Sequence, residues 1–269
     1  MDGQISGWSL REFGPADAQH TVLMLPGALA SHVFYEDVAA EPALSQVRLV
    51  ATTLPGYGGT PAPADDSVEN YARGAGKLAA MLRADVVVGH SVGANITIEM
   101  AAGRGFSGPL VLISPAFSRK DESIAPRILD RLAIVLGHLP FALVLKLIGK
   151  MLKGGVPDHR HAALTADLQN NDPRFIRRNM HTVLRYYDRH GNLVPRLCET
   201  GQPAWVIFGE NDDTKLQVAE RRELQTCPKV TLVTIPNTGH MSLSTHPERI
   251  AELILAAINA ARATESAPG

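Results

Sequence analysis

A three-layer α/β fold, with a mostly parallel sheet wrapped by helices on both faces, is what this 269-residue sequence predicts. Two patterns carry that expectation. Short aliphatic runs that end in glycine or proline recur along the chain. They are apolar at successive positions rather than alternating, which is how strands buried on both faces read. Helix-length segments separate several of these runs, and such alternation places the strands in parallel.

Taken in order, strands are expected in "TVLMLPG" (21–27), "VRLVATTLPG" (47–56), "DVVVGHS" (85–91), "PLVLISP" (109–115), "AWVIFGE" (204–210) and "VTLVTIP" (230–236). Helices are expected at 67–83, at 92–104 after a run of small residues, and at 247–263, which is rich in Ala, Ile and Leu. The alternation lapses between Pro115 and Gly201. There the pattern is helical, with breaks at Gly137, Pro140, Gly154-Gly155-Val156-Pro157 and Asp172-Pro173. The expected organisation is therefore a core of residues 1–115 and 201–269, with 116–200 inserted as helices over the carboxyl edge of the sheet. The tail "ATESAPG" (263–269) is small, polar and expected to fray.

Composition narrows the partners. Lys+Arg 26 against Asp+Glu 27, with no basic block, offers nothing to a nucleic acid. The segment 124–152 is the most apolar, but Arg131, His138, Pro140 and Lys146 interrupt it, so amphipathic helices are expected rather than a membrane span. The opening "MDGQISGWSLREFGP" lacks the apolar run of a signal peptide. Cys198 and Cys227 form no C-x-x-C, and two thiols in a chain this long suggest a reducing compartment. These readings point to a cytoplasmic protein without stable membrane insertion; oligomeric state is not readable.

The chemistry gathers around "VVVGHSVGAN" (86–95), where Ser91 is bracketed by Gly89 and Gly93 between a strand and a helix. A serine forced into a strained strand-to-helix turn needs such neighbours, because side chains at either position would collide with the packed strand and helix. A serine hydroxyl needs a base, and the base an orienting acid. Each should follow a later strand, in the order serine, acid, histidine. "WVIFGENDD" supplies Asp212 and "TLVTIPNTGHMS" supplies His240. Asp213 competes on proximity, and the G-x-x-D spacing favours Asp212. No carboxylate follows the strand at 110–114. Oxyanion donors are expected at the backbone N–H groups of Val92, directly after the serine, and Ala28, in the glycine turn of "LMLPGALA".

The set "LPGA", "LPGYGG", "GHSVG", "GEND" and "TGHMS" resembles the α/β-hydrolase superfamily over roughly 20–115 and 200–260. The resemblance implies that Ser91, Asp212 and His240 form the triad and that 116–200 is a cap domain. It departs from common family patterns at Pro26, Thr53 and Thr60, none of which is a catalytic group. His90 reads as packing beside the turn. "DHRH" (158–161) is a poor metal site, since residues two apart split onto different helix faces. "GYGG" (56–59) lacks the Lys-Ser/Thr of a phosphate loop and reads as an active-site rim.

The expected function is a serine hydrolase cleaving an ester, thioester or lactone of a small, partly apolar molecule, with no cofactor and no metal. C–C bond hydrolysis, lyase or cofactor-free oxygenase chemistry are the alternatives on the same fold. A slow-turnover ligand-binding signalling protein is the alternative of a different class.

Overall fold

The computed structural model describes residues 3–5 and 7–265. These form one eight-stranded sheet of β1 (Gly3–Ile5), β2 (Trp8–Phe13), β3 (Thr21–Leu25), β4 (Arg48–Thr53), β5 (Val86–His90), β6 (Leu110–Ile113), β7 (Ala204–Gly209) and β8 (Val230–Ile235). The spatial order is β1-β2-β4-β3-β5-β6-β7-β8. From β4 to β8 every pairing is parallel, while β1 and β2 form an antiparallel edge. The six parallel strands lie within the six aliphatic runs. The edge pair falls in the opening segment, where Trp8 and Leu10 are buried between exposed or half-buried neighbours.

The helices are α1 (Glu36–Ala39), α2 (Val68–Leu82), α3 (Val92–Ala102), α4 (Ile124–Leu136), α5 (Leu139–Leu152), α6 (Asp158–Gln169), α7 (Pro173–His190), α8 (Val194–Cys198), α9 (Val218–Thr226), α10 (Ser242–Thr245) and α11 (Pro247–Glu265). Successive strand side chains point to opposite faces, and the core divides accordingly. Leu23 and Leu25 pack on one side with α2 and α3 residues such as Ala75 and Ile96, while Val22 and Met24 pack on the other with Ile250 and Ile254 of α11. Both faces of β3 to β7 are thereby largely dry, which is why those runs were continuously apolar, whereas the edge strand β8 is mostly half-buried or exposed.

Helices α4 to α8 occupy the long interval between β6 and β7. Breaks fall at Gly137, at 154–157 and at Asp172-Pro173, as the sequence suggested. Pro140 is different: it sits in the first turn of α5, where a missing N–H costs nothing, and does not interrupt the helix. Polar contacts fasten these helices to the core. Arg196 forks onto Glu99 of α3 at 2.6 and 2.7 Å, Arg160 reaches Glu36 and Asp37, and Asp167 accepts from both the N–H and the hydroxyl of Ser31.

The two cysteines correct an expectation. Cys198 at the end of α8 and Cys227 after α9 are joined as a disulfide, with Cα atoms 5.6 Å apart, inside the range such a bond requires. Folding of β7 and α9 closes a gap of 29 residues that sequence spacing left open. The inference of a reducing, cytoplasmic compartment loses its ground in cysteine chemistry. Among the described residues no helix is long and apolar enough to cross a membrane. Residues 263–265 continue α11, and the rest of the tail lies outside the described residues.

Candidate active site

Chain order reverses between β3 and β5, the position at which open parallel sheets present a crevice beyond their carboxyl ends. Ser91 stands there, between β5 and α3, at φ 52° and ψ −122°. A positive φ is strained for a residue with a side chain, and the surroundings enforce it. A Cβ on Gly89 would lie 2.5 Å from the Gly93 carbonyl oxygen, and one on Gly93 would lie 2.2 Å from that of Leu25. The two glycines flanking the serine are thus required by close backbone approach, as the motif implied.

The loop after β3 comes against this turn, where a Cβ on Gly27 would be 3.1 Å from that of Ser91. Ala28 and Val92 both line a cavity of about 240 Å³ together with Ser91 and His240. Val92 opens α3, so its N–H has no intrahelical acceptor. Among the described residues neither that N–H nor the one of Ala28 makes a hydrogen bond. Two residues with unpaired backbone N–H groups therefore line the cavity with the serine.

Asp212, after β7, is buried, and its Oδ1 accepts from Nδ1 of His240 at 2.9 Å. Its neighbour Asp213 is exposed and lines the cavity without such a bond to His240. Ser114 Oγ donates to Oδ2 of Asp212 at 2.5 Å, and the Thr214 N–H donates to Oδ1 at 2.9 Å. Burial works against the charge on Asp212, but the His240 bond and charge, with the Ser114 and Thr214 donors, hold its carboxyl below the usual range. For His240 burial also disfavours the charged form, yet the bond and charge of Asp212, with Glu122 and Asp213 nearby, carry its pKa above the ordinary value. Among the described residues Ser91 Oγ and His240 share the cavity without a hydrogen bond, an arrangement common where no substrate is bound.

Three further residues were not legible as parts of this site. His90, read as packing, is buried and donates from Nε2 to the carbonyl oxygen of His240 at 3.0 Å. Burial, aided by the His240 charge, pushes its pKa down to about 3, so it stays neutral and pins the His240 loop. Ser114 occupies the end of β6, where no carboxylate was found, and instead orients the acid on the next strand. Glu122 lines the cavity, its carboxyl raised by burial. The first two roles link residues 98 and 150 positions apart, and no local motif marks them.

Most of the remaining wall is apolar or amide, with hydroxyls from Ser123 and Tyr57. Met180, Val183 and Leu184 of α7 line it with Pro126, and Tyr57 of "GYGG" lines it beside Asn179, to which its hydroxyl donates. Thr60 closes that loop, accepting from the Gly56 N–H at 2.9 Å and donating to a carbonyl within it. His159 is exposed and His161 is engaged with the Gly149 carbonyl at 2.7 Å. Among the described residues no cluster of three or more His, Cys, Asp or Glu forms a metal cage.

A parallel sheet with a strained serine at its switch point and a histidine–aspartate pair on the next loops defines a class. Residues 22–253 match the model of the alpha/beta hydrolase family, and the chain belongs to that family. Its structure is similar to that of a candidate aryl esterase from Burkholderia cenocepacia (17% identity, TM-score 0.78, 95% of each chain covered). It is also similar to an esterase from Exiguobacterium antarcticum (14%, 0.74, 94% of this chain and 95% of that one). A thioesterase domain from the curacin biosynthetic pathway superposes with TM-score 0.69 at 17% identity, covering 94% and 97%. At such identities the likeness is one of fold. No curated protein matches the chain in sequence.

Proposed function

We propose that the protein is a serine hydrolase that cleaves a carboxylic ester, thioester or lactone of a small, partly apolar molecule through an acyl-enzyme. The observation that carries this reading is a strained, glycine-bracketed Ser91 on the same cavity as a His240 whose Nδ1 is held by buried Asp212. His240 Nε2 takes the proton of Ser91 as its Oγ adds to the substrate carbonyl, and Asp212 fixes the tautomer and stabilises the imidazolium. The N–H groups of Ala28 and Val92 receive the oxyanion. The protonated His240 then delivers its proton to the departing alcohol oxygen, thiol sulfur or lactone ring oxygen as the tetrahedral adduct collapses, breaking the substrate C–O or C–S bond and leaving Ser91 acylated. Water, deprotonated by His240, reverses the sequence and frees the acid.

Residues 116–200 act in this proposal as a cap whose α4 and α7 side chains decide which acyl or alcohol groups fit. The mostly apolar wall supports a substrate with an apolar part. The esterases and the thioesterase domain of similar fold act on bonds of this type, which accords with the reading.

A fluorophosphonate probe should label Ser91 stoichiometrically, and Ser91→Ala should abolish both labelling and turnover of p-nitrophenyl esters with an unchanged thermal transition. Labelling that persists in the alanine variant would dismiss Ser91 as nucleophile. A single slow turnover with a lasting adduct in the wild type would favour a ligand-trapping signalling role.

A further inference from the structure

Ten of the twelve large hydrophobic residues most exposed among the described residues lie on α4 and α5. On α4 they form the i, i+4 stripe Ile124, Ile128, Leu132 with Val135 following, and on α5 the stripe Leu139, Leu143, Leu147, Met151. The stripes meet across Gly137-His138, where Ile134 and Val135 are 79% and 85% exposed. These helices do bury another side, through Ala133, Phe141, Leu145 and Ile148. Their outer faces are therefore apolar in excess of what packing uses, and an exposed patch of this kind marks an interaction surface.

The charges around it are mainly positive, Asp130 of α4 being an exception that is half-buried and paired with His181. Arg131, Lys146, Lys150 and Lys153 are exposed beside the stripes. A groove of about 480 Å³ opens between α4 and α7, where Ile134 lies with Arg174, Arg177 and Arg178. Arg178 is held by Asp66, but among the described residues Arg131, Lys146, Lys150, Lys153, Arg174 and Arg177 form no ion pair. Residues 116–200 hold 14 Lys and Arg against 8 Asp and Glu, a formal +6, although the whole chain is −1. The remainder of the chain is therefore −7, and the positive charge is concentrated on the inserted helices.

We propose that the α4–α5 hairpin and the adjoining arginine face of α7 dock the protein on an anionic lipid surface. The apolar stripes would enter the headgroup–acyl boundary and the cations would meet lipid phosphates, the two ingredients of interfacial binding by amphipathic helices. The groove couples both, since Ile134 and three arginines border it. A second copy seated symmetrically on this face would oppose cations with cations, so charge favours the lipid. The same helices serve the cavity from their inner sides: Ser123 and Pro126 flank Ile124 at the start of α4, and Met180 and Val183 follow Arg177 and Arg178 on α7. Docking would thus hold the cavity wall against the layer from which an apolar substrate arrives.

The test is flotation of the full chain with vesicles, which needs no turnover and so stands apart from the hydrolase reading. Vesicles of phosphatidylcholine with about a quarter phosphatidylglycerol should carry the protein at least ~10-fold better than phosphatidylcholine alone, and added salt should weaken the binding. Each cation lost from the surface should cost about fivefold. The pairs Val135→Glu/Leu139→Glu and Arg174→Glu/Arg177→Glu should each cut binding by ~10-fold or more, while hydrolysis of a small soluble ester is unchanged. The pairs sit on different helices at exposed positions, so a folding defect in one leaves the other informative. A wild type that stays free of anionic vesicles overturns the proposal, as does binding indifferent to both pairs. A dimer in sedimentation equilibrium that Val135→Glu dissociates, without vesicle binding, would assign the face to a second copy instead.

Discussion

Ser91 and His240 are set up by opposite means, one by backbone and one by charge. The serine is placed by close approach of main chain around Gly89 and Gly93, a constraint written into the sequence at its own position. The histidine depends on a carboxylate 28 residues away and on a carbonyl bond from His90. Because Asp212 raises the His240 pKa, the neutral base is lost as pH falls through a value above the ordinary 6.5. The acid limb of kcat/KM should therefore have its midpoint above that of a free histidine. Asp212→Asn should lower kcat by ~10⁴-fold by leaving the wrong tautomer, and should move the midpoint of any residual activity downward. Asp213→Asn, at an exposed position, should change kcat far less. Equal losses in the two variants, or a midpoint that does not move with Asp212→Asn, would contradict the assigned roles. The stability linkage has the matching sign: a raised folded pKa gives His240 a contribution that is full below 6.5 and lost as pH rises through the folded value. His90, Ser114 and Glu122 could not be read beforehand, because an ordinary serine or histidine acquires its role only from partners that the fold delivers.

At the scale of elements, the parallel strands and their helices were legible because continuous apolar runs and 3.6-residue patterns are properties of each segment alone. The β1–β2 edge and α9 were missed for the complementary reason: β2 is half buried and α9 is mostly polar, so neither carries a strong apolar period. The hinge between β6 and α4 shows how such elements join. Asp121, 1% exposed, accepts the N–H groups of Phe117 and Ser118 through Oδ2, while its Oδ1 is buried without a partner. Burial, with the nearby Glu220 carboxylate of α9 adding to it, pushes its pKa up to about 7. The backbone carbonyl of Asp121 accepts the Lys215 N–H, which joins the entry to the inserted helices to the chain that follows Asp212. Since the folded pKa exceeds the unfolded 3.8, the contribution of Asp121 to stability is greatest below 3.8 and is lost as pH rises through about 7. Asp121→Asn imitates the protonated acid, with an oxygen for the two N–H groups and no charge to oppose that of Glu220. It should raise Tm near neutral pH and above, and flatten the fall in Tm between about pH 5 and about pH 8. A variant that keeps the wild-type fall would show that another group titrates in that window.

For the whole molecule, the two bodies of chemistry occupy different parts of the chain. The proposed triad and oxyanion donors come from loops after β3, β5, β7 and β8, whereas much of the cavity wall comes from α4 and α7. That division could be anticipated from where the alternation lapsed. Which helix faces turn inward could not, because the inserted helices are apolar on outer as well as inner sides. The structure singles out Met180, half-buried on α7 and exposed to the cavity beside Val183 and Leu184. A thioether is flexible and yields to a substrate chain, while an indole does not. In a space of about 240 Å³, Met180→Trp should exclude longer acyl groups first. We expect KM for octanoyl p-nitrophenyl esters to rise by about one order of magnitude or more, which corresponds to ~1.4 kcal/mol of lost binding. The acetyl ester should be hydrolysed with nearly the wild-type kcat, and a small fluorophosphonate should label Ser91 at the wild-type rate. The contrast is the informative quantity, since a general disturbance of the site would slow the acetyl ester, the octanoyl ester and the probe together. An unchanged chain-length preference would mean that the acyl group lies along another wall, leaving Tyr57 and Asn179 as the next positions to enlarge.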